Sequence, residues 1–246
     1  LKKAQRIERE IPRVESINIT GDDYISPYDF IVDLETITKN DDVIIPCSSG
    51  SAFTLTMSLY KPKYGQRMLT NKQLASMGYG LSGAIGAAIA KRDKRTILIE
   101  GDGGFAQNLQ EVGTAKINEL NLKIFIFDDQ GHASIRMTQI NYFGGKYLGC
   151  DTDSGLGLPN WLKLFDAWDL PVIEINKGFV NNKEFLERFN ADGVAVFVVK
   201  IDPKQTYFPK ISSRVTSSGS MESNPIDVMS PEIDLEQVLK LSTSTD

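Results

Sequence analysis

Residues 97–132, ILIEGDGGFAQNLQEVGTAKINELNLKIFIFDDQGH, decide the fold. An apolar β-type run, Thr96–Ile99, leads into Gly101-Asp102-Gly103-Gly104. A helical pattern follows from Phe105 to Glu119, with Phe105, Leu109, Val112 and Ile117 on one face. A second apolar run, Leu122–Phe127, ends in Asp128-Asp129-Gln130-Gly131. Strand, turn, helix, strand and turn make one βαβ unit. Such a unit has parallel strands, and ligands bind at their carboxyl ends. Both of those ends carry acidic residues and glycine.

The chemistry these ends suggest is a metal clamped on a diphosphate. Asp102 offers a hard anionic oxygen. Gly103 and Gly104 allow close backbone approach, with N–H groups at the start of the next helix facing an anion. Asp129, or its neighbour Asp128, offers a second oxygen, and Gly131 a backbone carbonyl. Magnesium takes a few hard oxygens plus phosphate oxygens in an octahedron. A Gly-Asp-Gly triplet alone is a common turn, so the weight lies in the pairing of two strand ends.

Gly101-Asp102-Gly103, closed by the pair at 128–129, resembles the thiamine diphosphate motif, a GDG triplet closed by Asn-Asn. The resemblance is to the acetolactate synthase and pyruvate decarboxylase family, and within it to acetolactate-synthase-like proteins of surface-sugar pathways. Ala133-Ser134-Ile135-Arg136-Met137-Thr138-Gln139 supports the narrower match. One departure stands out: Asp128 and Asp129 occupy positions where the family usually has Asn, which adds negative charge beside a diphosphate. The resemblance implies an α/β domain, a mostly parallel sheet with helices on both faces, over residues 26–203. It implies thiamine diphosphate and Mg2+ as cofactors, with the metal on Asp102, Asp129 and the Gly131 carbonyl.

Two further stretches gain meaning from it. Asp42–Pro46 reads as a buried strand ending in Cys47-Ser48-Ser49-Gly50-Ser51-Ala52. Read alone, this is a βα turn; the resemblance makes Gly50, Ser51 and Ala52 candidates for the outer end of the diphosphate. Leu74–Tyr79 precedes a helix rich in small residues, Gly80–Ala90, whose repeated glycines imply tight packing. Met77 would ordinarily be core filler. The resemblance makes it the wedge that bends the cofactor, its N–H bonding the pyrimidine while the Ala75 carbonyl accepts from the amino group. Gly101 opens the triplet and Gly104 follows it, and His132 and Ala133 complete the wall, His132 mainly through its backbone. Gln107, Asn108 and Gln110 read as solvent-facing, and Gln139 and Tyr142 as candidates for the substrate side.

The remaining sequence bounds these readings. The chain has 246 residues and a net charge of −5, with no basic stripe, which argues against a nucleic-acid partner. No apolar run is long enough to span a membrane. Cys47 and Cys150 stand far apart and read as buried or incidental thiols of a reducing, cytoplasmic compartment. The single histidine rules out a metal site built on several. The chain starts with Leu and shows no signal peptide, which reads as a piece of something longer. Residues 1–25 read as a linker or the tail of a preceding domain, with a short helix over Lys2–Glu10; a frayed terminus is the alternative. A helix is predicted from Ser26-Pro27 through Thr38. Residues 204–246, rich in Ser, Pro and Thr, read as an arm, disordered at its final STSTD.

The resemblance implies decarboxylation of a 2-oxo acid followed by carboligation, a lyase and transferase chemistry. In this family a glutamate on a separate pyrimidine-binding domain completes the site, and no segment here looks like that domain. It must come from a missing N-terminal part or another subunit, the site lying across an interface of a homo-oligomer. The alternative is a non-catalytic cofactor- or partner-binding module of the same fold. An unrelated nucleotide-binding domain fits poorly, since neither a P-loop nor a dinucleotide fingerprint is present.

Overall fold

The computed structural model describes Asn18, residues 20–225 and residues 228–231. They belong to two compact units, one spanning Gly21–Pro203, the other formed by the two ends of the chain, up to Thr20 and from Lys204. The expected helix over Lys2–Glu10 and the final STSTD lie outside the described residues.

The larger unit runs α1 (Pro27–Ile37), β1 (Val43–Ile45), α2 (Gly50–Leu59), β2 (Arg67–Met68), α3 (Tyr79–Ala90), β3 (Thr96–Gly101), the single turn α4 (Asp102–Phe105), α5 (Val112–Ile117), β4 (Leu122–Asp128), α6 (Ala133–Tyr142), α7 (Trp161–Ala167), β5 (Val172–Ile175), α8 (Lys183–Asn190) and β6 (Ala195–Lys200). The six strands form one sheet in the order β2-β1-β3-β4-β6-β5. Every pairing in it is parallel, as helical crossovers require. From β1 the next strand lies to one side of the sheet, and from β3 to the other. The direction therefore switches between β1 and β3, where open parallel sheets leave a crevice.

Local sequence explains the elements. Ser26 caps α1, its Oγ accepting from the Asp29 N–H at 3.3 Å, with Pro27 in the first helical position. Strand β4 is buried on both faces because side chains alternate along it. Leu122, Ile124 and Ile126 join Leu81, Leu98, Phe105, Phe165 and Val196 in one core. Phe125 and Phe127 enter a second, aromatic core with Phe30, Phe185, Phe189 and Phe197. Among the described residues no helix is long and apolar enough to cross a membrane.

The helix expected over Phe105–Glu119 is broken. It ends as a single turn at Phe105, passes through a 3-10 turn at Leu109–Glu111, and restarts at Val112. Asn108, at φ −145°, leaves the helical region and turns its side-chain amide to the Gly78 carbonyl (3.2 Å). The break resets the helical phase. Phe105 and Val112 stay in the core, but Ile117 is 82% exposed instead of sharing their face. Edge strand β2, two residues without an apolar run, had no signal in the sequence.

One buried charge in the sheet gives a pH test. Lys123 on β4 is fully buried, and its Nζ donates to the Gly193 carbonyl at 2.6 Å. Burial, and then the like charge of Arg95, push its ammonium from 10.5 down to about 8. Between those two values the unfolded chain binds the proton that the folded chain has released, so stability rises with pH across that window. Urea midpoints are expected to climb over that window in the parent, and Lys123→Met is expected to remove this climb.

In the smaller unit, β7 (Lys210–Ile211), β8 (Ser213–Val215), β9 (Met221–Ser223) and β10 (Met229–Ser230) form two antiparallel pairs, β7 with β10 and β8 with β9. Asn18 ties its two chain segments together, its amide bonding both the N–H and the carbonyl of Phe208.

Candidate functional site

A cleft of about 250 Å³ opens above the carboxyl ends of β1, β3 and β4, at the switch in strand direction. It gathers four separate stretches. Gly50, Ser51 and Ala52 line it from the start of α2, and Ala75 and Met77 from the loop before α3. Gly101, Gly103 and Gly104 line it from the end of β3, and Asp129, Gly131, His132 and Ala133 from the end of β4. Asp102 stands behind this wall, completely buried. The residues expected from the sequence are thus brought together, apart from Gln139 and Tyr142, which are not among the lining residues. Gln139 instead bonds the N–H and carbonyl of Leu148 (3.0 and 3.2 Å).

Asp102 organises the floor. Its Oδ2 accepts from the Gly131 N–H at 3.0 Å, joining the ends of β3 and β4, and its Oδ1 accepts from the Gly103 N–H. Gly131 sits at φ +146°, a backbone state L side chains rarely adopt, and a Cβ there would overlap the Cys150 carbonyl oxygen. That carbonyl also accepts from the His132 N–H at 2.8 Å, and Gly131 bridges Asp151. The loop after β4 is thereby pinned to a distant stretch of chain.

Met77 is 42% exposed at the cleft. Its loop is fixed from both sides: Ser48 Oγ donates to the Ser76 carbonyl at 2.7 Å, and Asn108 holds Gly78. Asn108, expected from the sequence to face solvent, is instead a brace for the loop. Ala75 adopts φ +48°.

Charge is unevenly balanced. Burial, then the neighbouring charges of Asp129 and Asp128, hold the Asp102 carboxyl well above the usual range. Burial pushes Asp129 up to about 7, against the pull of Arg136. Asp128 is also raised by burial, opposed by a hydrogen bond with Asp102. Burial, with Arg136 adding to it, lowers His132, favouring a neutral ring. Burial pushes the Cys47 thiol up to about 12, so it lines the cleft as an inert thiol. Both cysteines are buried and unpaired. Among the described residues no group of three or more His, Cys, Asp or Glu side chains is arranged to hold a metal. A cation here would need backbone and ligand oxygens as well.

Two residues were not singled out from the sequence for the roles they hold here. Glu100, 3% exposed, lines the cleft wedged against Gly80 and Gly104, where a Cβ on Gly80 would collide with its carboxylate. Burial raises it to about 8, opposed by the Leu81 and Gly80 amides. An acid inside the apolar run of β3 was the available signal. Arg136 is buried against Asp129; the sequence marked it only as a cation after the site loop, within the 133–139 stretch.

Residues 48–199 match the family model for the thiamine pyrophosphate enzyme, C-terminal TPP binding domain. The chain is 27% identical over 172 residues to acetolactate synthase isozyme 1 large subunit of Escherichia coli (strain K12), covering 70% of this chain and 30% of that one. It is 31% identical over 170 residues to the probable acetolactate synthase large subunit of Methanococcus aeolicus, covering 69% and 28%. It is 31% identical over 160 residues to acetolactate synthase 1, chloroplastic, of Nicotiana tabacum, covering 63% and 24%. The chain thus spans less than a third of the length of these relatives.

Proposed function

We propose, from the premise that this chain belongs to the thiamine pyrophosphate enzyme family as its C-terminal TPP binding domain, that it supplies the diphosphate-and-metal half of the active site of an acetolactate-synthase-like enzyme. The observation that carries this reading is the Asp102–Gly131 hydrogen bond (3.0 Å), which brings the acidic end of β3 against that of β4 at the cleft.

The donor set fits the cofactor. Three neighbouring carboxyls beside a glycine-lined cleft, all raised by burial and with Asp102 raised further by Asp129 and Asp128, are hard oxygens whose ionised forms lack a full complement of positive charge. A Mg2+ ion and its phosphate ligands would complete them. Asp102, Asp129 and the Gly131 carbonyl would hold the metal. Gly50, Ser51 and Ala52 would take the outer phosphate, with Gly101, Gly103 and Gly104 letting the backbone come close. Met77 would support the bent cofactor, Ala75 would receive the amino group, and His132 and Ala133 would wall the site. Bound thiamine diphosphate supplies an electron sink for decarboxylation of a 2-oxo acid and joining to a second carbonyl. The chain's own task is to hold and orient, while apolar lining excludes water. A pyrimidine-binding domain, from a preceding part of the protein or another subunit of a homo-oligomer, would complete catalysis. The buried unpaired thiols suit a reducing compartment, the cytoplasm.

Calorimetric titration of thiamine diphosphate into the full-length protein, with and without Mg2+, tests this, followed by carbon dioxide release from a panel of 2-oxo acids. Metal-dependent binding and turnover are expected. Binding without turnover would favour the other reading, a non-catalytic module, whose support is Asp128 and Asp129 in place of the family's usual Asn. Absence of binding would overturn both cofactor readings.

A further inference from the structure

We infer that Arg136 is the positioning residue that allows this chain to carry an aspartate, rather than a neutral amide, at the metal-facing position directly after β4; the inference rests on the functional reading above. Arg136 lies in the first turn of α6, directly after the site loop. Its Nη2 donates to both the backbone carbonyl and Oδ1 of Asp129, at 2.7 and 3.0 Å. Its Nη1 reaches the carbonyls of Gln130 and Cys150, at 3.3 and 3.4 Å. The side chains of both partners are almost completely enclosed, 6% and 5% exposed.

This arrangement does two things that a surface ion pair does not. First, Nη2 holds a side-chain oxygen and the main-chain carbonyl of Asp129 while Nη1 of the same rigid plane is anchored on the Gln130 and Cys150 carbonyls, fixing the direction of the Asp129 carboxyl while Asp129 still lines the cleft. A lysine has a single nitrogen and cannot serve Asp129 and the Gln130 and Cys150 carbonyls together. Second, the guanidinium offsets the one unit of negative charge that Asp129 adds relative to an amide. A buried pair of this kind is a weak stabiliser, since desolvation of two ions offsets most of their attraction. Its value is in orienting a ligand, as outer partners of metal ligands do. Asp128 is served differently: it faces a second cavity, beside the Lys200–Glu174 pair (2.9 Å).

The test is a double-mutant cycle on the full-length protein: parent, Arg136→Met, Asp129→Asn and the double variant, with Arg136→Lys made in both backgrounds. Mg2+-dependent thiamine diphosphate affinity is read by calorimetry, and folding is checked by urea unfolding. Arg136→Met is expected to weaken metal-dependent binding roughly 10–100-fold when residue 129 is Asp. When residue 129 is Asn the same change should cost under about threefold, a coupling that additive structural damage does not produce. Arg136→Lys, which keeps the charge and is the gentler change should Arg136→Met fail to fold, is expected to recover part of the affinity only in the Asp129 background. Equal losses in both backgrounds, or none in either, would overturn the inference and leave the functional reading standing. A parent that binds no thiamine diphosphate would overturn both.

Discussion

Asp102→Ala is expected to lower Mg2+-dependent thiamine diphosphate affinity by roughly 100-fold or more, the upper end of what loss of a metal ligand's supporting contacts costs. The carboxyl is fully buried and serves two backbone donors, Gly103 and Gly131. Truncation therefore also leaves two buried N–H groups without an acceptor, at about 1–3 kcal/mol each. Part of any loss would then be damage to the floor of the cleft. Asp102→Asn separates the two effects. In the unliganded chain burial, then the charges of Asp129 and Asp128, disfavour the ionised form of the Asp102 carboxyl, so the charge lost in a neutral amide is the smaller part of the change. Asn keeps one acceptor oxygen but turns its NH2 toward the other backbone N–H, so this variant should lose less stability than Asp102→Ala yet bind the metal-dependent cofactor far less well. Urea unfolding and calorimetry on the same preparations check both halves. Parent-like affinity in Asp102→Ala would remove Asp102 from the metal site.

Gly131→Ala is expected to have the largest effect on folding. At φ +146° an alanine is strained, and its Cβ would meet the Cys150 carbonyl oxygen and stand 2.8 Å from Arg136 Nη1. Neither obstacle yields readily. The carbonyl is main chain already receiving the His132 N–H, and the guanidinium is locked onto Asp129. Backbone strain and overpacking each cost about 1–3 kcal/mol, so a combined loss of about 2–6 kcal/mol is expected in denaturant unfolding. Cofactor affinity should fall with it, because Gly131 joins Asp102 to the loop. A loss under about 1 kcal/mol would mean that the loop relaxes where this packing says it cannot.

The sequence carried the βαβ unit plainly, because Thr96–Ile99 and Leu122–Phe127 are apolar throughout, as strands covered on both faces must be. The cleft glycines and acids were legible for a similar reason: they interrupt those runs at the strand ends. The break at Asn108 was not legible, since it depends on a hydrogen bond to Gly78, thirty residues away in the chain. Without that contact the helical period reads straight through to Ile117. Strand β2 was invisible because two residues pairing with β1 need no pattern of their own. Glu100 and Arg136 escaped for another reason. Each has meaning only through partners outside its own element, Gly80 of α3 for one and Asp129 in the loop after β4 for the other. Composition marks such residues as charged, not as enclosed.

The strand order has a consequence for how this domain can diversify. The residues lining the cleft come from between Cys47 and Ile135, and none comes from β5, β6 or the connections around them. Two of the six strands are therefore scaffold to the cleft without touching it. Insertions at the carboxyl ends of β5 and β6 would lengthen the surface while leaving the cleft chemistry unaltered. Among relatives of this chain, those two connections are where length should drift freely, while the turns after β1, β3 and β4 hold their length.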